Sequence, residues 1–63
     1  MREWLIQQRQ KKKLTQKAVS LAVNVAQPTY WGYEHGVITP SVETAKRIGG
    51  FLGFKWTKFF DDK

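Results

Sequence analysis

The stretch Leu14-Thr15-Gln16-Lys17-Ala18-Val19-Ser20-Leu21-Ala22-Val23-Asn24-Val25-Ala26-Gln27-Pro28-Thr29-Tyr30-Trp31-Gly32-Tyr33-Glu34-His35-Gly36 decides the fold. It reads as two short helices joined by a tight turn. Thr15 offers a hydroxyl cap, and a helix follows over residues 16–23 with Val19, Ala22 and Val23 on one face at helical spacing. Asn24 tolerates the left-handed backbone that ends helices, and Val25 tucks inward behind it. A second helix runs over 27–34. Pro28 suits its first turn, where the missing N–H has no intrahelical partner. Tyr30, Tyr33 and Glu34 face inward, and Gly36 closes the helix. Ala26 is a poor cap, so this end is weaker than a Ser-capped one. Two helices joined this tightly must cross at a wide angle, and the residue at the crossing must be small, as Ser20 is.

The flanks add helices. Residues 2–12 predict a first one, with Glu3 in the first turn and Lys11, Lys12 and Lys13 in the last, which complements the helix dipole. Met1, Trp4, Leu5 and Gln8 define its inner side, and Leu14 points back into the core. After a loop over 37–40, Ser41 caps a fourth helix on which Val42, Ala45, Ile48, Gly49 and Leu52 repeat at helical spacing. Gly49 and Gly50 each cost on the order of 1 kcal/mol there, and close approach of another helix is the purpose expected of Gly49. Gly53 ends the helix. Phe54, Trp56, Phe59 and Phe60 form an aromatic closing segment of a turn or two. The β-branched clusters at 23–25 and 37–39 are too short to pair as strands. The expectation is an all-α bundle of about five short helices, one domain over 1–63 with a polar tail at 61–63.

Composition narrows the function. The chain has 63 residues, no cysteine and one histidine, so neither a disulfide framework nor a thiolate or histidine zinc site is expected. So small a core can hardly form a water-excluding pocket. No phosphate-binding loop or nucleophile–base spacing occurs. An enzyme, a cofactor and a small-molecule ligand are therefore not expected. No apolar run approaches the roughly 18 residues of a membrane span, and no secretory signal is present; the expected compartment is the cytoplasm. The net charge of +6 favours polyanions, nucleic acid first. Six of the positive residues, Arg2, Arg9, Lys11, Lys12, Lys13 and Lys17, fall in the first seventeen positions, and none lies between Ala18 and Ala45.

The run Leu14-Thr15-Gln16, then Ser20, Val23-Asn24-Val25, Gln27, Tyr30, Tyr33-Glu34, Gly36 and Pro40-Ser41 resembles the helix-turn-helix of the lambda-repressor-like family, also called the Cro/repressor or XRE type. It aligns without a gap from Leu14 to Gly53, with the helix-turn-helix at about 16–35. Asn24 stands where the family usually has glycine. The resemblance implies that the third helix is a recognition helix laid in the major groove of double-stranded DNA. Gln27 would then bond adenine N6 and N7. Gln16 would hold a phosphate and buttress Gln27 at the base edges. Pro28 would give van der Waals contact, and Thr29 would touch a thymine methyl or a phosphate. Trp31 would meet a sugar-phosphate edge or a partner protein, or else pack sideways against Lys17 or a loop. Gly32 replaces a longer side chain at a base-touching position and would let the backbone come closer. Thr15, Lys13, Lys17, Thr39 and Lys46 would grip phosphates. The family also implies an Arg9–Glu34 ion pair and a homodimer contact, placed here on Trp56 and Phe60, with Phe54 and Phe59 inward. The function expected is a small repressor of phage or mobile-element type on a pseudo-palindromic operator. A protein-binding module on the same fold, antirepressor or antitoxin-like, is the alternative.

Overall fold

Glu3 opens α1(Glu3–Lys11) in a computed structural model that describes residues 1–61. Three further α-helices follow, α2(Gln16–Ala22), α3(Gln27–His35) and α4(Val42–Leu52), and then a 3-10 segment, Trp56–Phe60. No strand occurs among the described residues. The count of about five helical elements therefore holds if the 3-10 segment is included. Of the polar tail, Asp61 follows the 3-10 segment as an exposed turn residue. Asp62 and Lys63 lie outside the described residues.

The local signals act as their chemistry dictates. Thr15 Oγ1 accepts a hydrogen bond from the Ala18 N–H at 3.0 Å, which satisfies one of the donors a helix start leaves open. Ser41 Oγ does the same for Thr44 at 3.2 Å. Asn24 sits at φ 61° and Gly53 at φ 85°, the left-handed region in which their helices end. Between α2 and α3 the Val25 N–H bonds the Ser20 carbonyl at 2.9 Å. Ser20 is buried at the crossing, and its hydroxyl donates to the Lys17 carbonyl at 2.8 Å.

The core gathers Leu5, Val19, Val23, Tyr30, Tyr33, Ala45, Ile48, Leu52 and Phe59 from all five elements, with Trp4, Leu14, Val25, Phe54 and Trp56 packed against it. Trp4 meets Phe54 and Phe59 edge-on, each at 5.1 Å between ring centroids. That geometry suits the ring quadrupoles and fastens the closing segment onto α1. Three positions placed inward by helical spacing are instead exposed: Met1, Ala22 and Val42. Ala22 and Val42 are the end residues of α2 and α4, and Met1 precedes α1.

Gly49 answers to a close approach, though by a returning chain and not by an α-helix. A Cβ there would stand 2.7 Å from the Phe54 carbonyl oxygen and 3.1 Å from the Trp56 amide nitrogen. Backbone cannot swing aside as a side-chain tip can. Gly50 has nothing within 4 Å. The two neighbours therefore respond to one substitution with opposite signs. Gly50→Ala raises stability by up to about 1 kcal/mol through helix propensity. Gly49→Ala lowers it despite the same propensity gain. Urea unfolding followed by far-ultraviolet circular dichroism measures both; a Gly49→Ala midpoint at or above the parent's contradicts the close-approach account.

Candidate nucleic-acid interface

A buried carboxylate sits where α1, α2 and α3 meet. Glu34, in the last turn of α3, is 1% exposed. Arg9 of α1 reaches it through Nε to Oε2 at 2.6 Å and Nη2 to Oε1 at 3.1 Å. This two-point contact matches the guanidinium fork to the carboxylate. Gln16, the first residue of α2, donates Nε2 to Oε1 at 2.9 Å. Arg9 Nη1 also bonds the Leu14 carbonyl at 2.9 Å and so fixes the turn into α2. Burial alone would raise the Glu34 pKa. Hydrogen bonds from Arg9 and Gln16, with the Arg9 charge, outweigh burial and hold the carboxyl below its ordinary range. The same bond raises the Arg9 pKa. Tyr30 lies close by. Burial, then the neighbouring carboxylate, push its phenol well above its usual value, and its buried hydroxyl has no partner in bonding geometry.

That network presents one face. Gln16, Gln27, Pro28 and Trp31 line an open depression of about 310 Å³. Gln16 comes from α2 and the others from the exposed side of α3. Gln27 and Pro28 are exposed, and Thr29 is half-buried beside them. Trp31 packs along its own helix. Its ring stacks on His35, one turn along α3, at 3.9 Å and 20° between planes, and it stays 45% exposed. Exposed lysines at 11, 12, 13 and 17 border the start of α2.

The base-touching position that the resemblance implies for Gly32 does not agree with the structure, where Gly32 is buried. A Cβ there would come within 2.6 Å of Ile38 Cδ1. The missing side chain makes room for the loop after α3, and the residue lies away from the depression. Two further side chains are already engaged. Thr39 Oγ1 accepts a bond from Arg2 Nη2 at 2.9 Å, and Lys46 Nζ lies 5.2 Å from the Trp56 ring centroid, a cation–π distance. Trp56 is half-buried against the core, while Phe60 remains 42% exposed and meets Trp56 edge-on.

Arg2 and Arg47 carry architecture that the charge pattern conceals. Arg2 belongs to the positive cluster of the first seventeen positions, yet it is buried. Its Nη1 donates to the Tyr33 carbonyl at 2.6 Å and to the Ile38 carbonyl at 3.0 Å, and its backbone N–H bonds the Glu34 carbonyl at 2.7 Å. A cation at the C-terminal end of α3 also complements the helix dipole. Arg47 Nε bonds the Val23 carbonyl at 3.2 Å and ties α4 to the end of α2. The one hint in the sequence is the lack of a capping side chain before Glu3. Every arginine of the chain is thus hydrogen-bonded to another element, Arg47 from a side chain that is 43% exposed, and the basic surface at the start of α2 is lysine.

Comparison with known proteins identifies the family. The family model described as helix-turn-helix matches residues 5–59. The relative YqaF of Bacillus subtilis (strain 168), described as an uncharacterized HTH-type transcriptional regulator, is 44% identical over 62 residues, covering 98% of this chain and 82% of the relative. No solved structure matches the chain.

Removing one member of a buried ion pair strands the other. Arg9→Met is expected to cost about 3–5 kcal/mol, most of what a core this size supplies, so the variant is largely unfolded at 25 °C by circular dichroism. The pH dependence follows from the depressed Glu34 pKa. Its stabilisation is complete above the ordinary carboxyl value of 4.5 and is lost as pH falls from there through the folded value. Urea midpoints of the parent measured between pH 7 and pH 3 should hold steady above about pH 4.5 and fall below it; a midpoint that stays level down to pH 3 contradicts the account.

Proposed function

The chain belongs to the helix-turn-helix family, and from that premise we propose that it is a DNA-binding transcription regulator, a small repressor of phage or mobile-element type on a pseudo-palindromic operator. One observation carries the reading. The Arg9–Glu34–Gln16 network locks α2 against α3 so that Gln16, Gln27, Pro28 and Trp31 share an open face, beside lysines free to meet phosphates.

Roles divide by chemistry. Gln27, at the first position of α3, can donate and accept at one adenine edge. Pro28 and Trp31 supply apolar surface, and Thr29 completes the leading turn of the helix. Lys13 and Lys17, with the Thr15 region, hold the strand beside α2 without reading sequence. Thr39 and Lys46 are proposed for the other strand, in which case Thr39 uses its remaining hydroxyl valence and Lys46 leaves the Trp56 ring. No lysine or arginine lies on α3, so base readout rests on few contacts and DNA shape contributes the rest. A homodimer through Trp56 and Phe60 would set two α3 helices about 34 Å apart, one turn of duplex. Occupying the operator then blocks polymerase sterically.

Selection from a random duplex library at low salt, followed by band-shift titration, tests the reading. A single enriched half-site motif is the expected result, and no enrichment overturns it. Affinity should fall steeply with salt as counterions return to the phosphates. Lys13→Ala and Lys17→Ala should each weaken all duplexes about equally and reduce the salt slope by about one. Gln27→Ala should relax one base position by roughly 1–3 kcal/mol. The half-exposed Trp31 also suits a protein-binding module. Binding centred there would be nearly indifferent to salt, and that result would favour the second reading.

A further inference from the structure

The bond from Gln16 to Glu34 fixes the orientation of an amide as well as its position. A glutamine amide has a donor end and an acceptor end of nearly the same shape. Either end can lead where neighbours do not choose. Here the neighbour chooses. An ionised carboxylate only accepts, so the nitrogen of Gln16 must face Glu34, as its Nε2 does at 2.9 Å. Arg9 bonds both carboxylate oxygens, which keeps the group ionised and in place. Gln16 Oε1 is then the end left over. It receives no hydrogen bond from a described residue and is not among the buried unpartnered atoms. Gln16 itself lines the depression with Gln27, Pro28 and Trp31.

We propose that Glu34 is a positioning residue that sets the hydrogen-bond polarity of this depression: it turns the Gln16 carbonyl oxygen outward, so that Gln16 selects a base edge bearing an exocyclic amino group. In the major groove those donors are adenine N6 and cytosine N4. Guanine O6 and thymine O4 would bring a second acceptor against the first and are disfavoured there. The inference rests on the DNA-reading function proposed above. It adds a specificity determinant contributed from α2, through a residue that never touches the duplex.

The test uses the full chain and the duplex recovered by library selection. Each adenine is replaced in turn by purine, and each cytosine by pyrimidin-2-one; both lack only the amino group. The parent should lose roughly tenfold or more in affinity at one position beyond those lost through Gln27, and the arm that responds tells adenine from cytosine. Gln16→Met removes the acceptor, and with it one donor to Glu34, while both Arg9–Glu34 bonds remain; it should abolish that discrimination. Glu34→Gln lets the amide lead with either end and should bring discrimination toward parity. The double variant should discriminate no worse than Gln16→Met, a coupling that lost stability alone does not produce. Circular dichroism establishes that Glu34→Gln is folded; if it is not, Gln16→Met decides. Parent-like discrimination in Gln16→Met, or in folded Glu34→Gln, overturns the proposal. So does a parent that enriches a motif yet ignores every amino group, which leaves the DNA-reading function standing. A parent that enriches nothing overturns both.

Discussion

A carboxylate taken out of water must be compensated, and Glu34 shows how completely that need can organise a small domain. Its two oxygens collect donors from α1 and α2 while its own backbone belongs to α3. Burial of the ion is unfavourable in isolation, so the three helices are stable together in one arrangement that brings the donors within reach. The apolar core supplies the bulk of the driving force. The ion network dictates which faces meet. Gln16 is where architecture passes into function, because one end of its amide belongs to the core network and the rest lines the open depression.

Much of this was legible along the chain. Thr15, Asn24, Ser41 and Gly53 mark ends through local chemistry that acts within three or four residues, and all four do what their side chains allow. Tyr30, Tyr33 and Glu34 point inward because helical spacing leaves them no other side. What the sequence conceals is long-range. Arg2 looks like surface charge, and its carbonyl partners lie more than thirty residues away. Lys13 adopts φ 58° with nothing in its own side chain to favour it; tertiary packing of Leu14 and the Arg9 bond to the turn override that preference. Gly32 illustrates a different gap. Spacing assigns a glycine to a helix face, but it does not say whether the missing side chain serves a ligand or a neighbouring loop.

The division between the two basic residue types has a physical logic. A guanidinium presents a planar fork that can satisfy several acceptors at once and tolerates partial burial. Arg2, Arg9 and Arg47 each bridge elements distant in sequence. Lysine carries a compact, strongly hydrated charge on a flexible stem, and Lys11, Lys12, Lys13 and Lys17 stay in solvent. Formal charge treats the two types alike, whereas the fold uses them for different purposes. The count of positive residues therefore overstates the field available to a partner.

Ile38 against Gly32 leaves a mark on how this surface can diversify. A bulkier residue at 32 must first turn aside the tip of the Ile38 side chain, which is 40% exposed in the loop that follows α3. Positions 27, 28 and 31 carry no such obligation. Any lineage, or any engineer, seeking a new target for this scaffold inherits an alphabet confined to the front edge of one short helix.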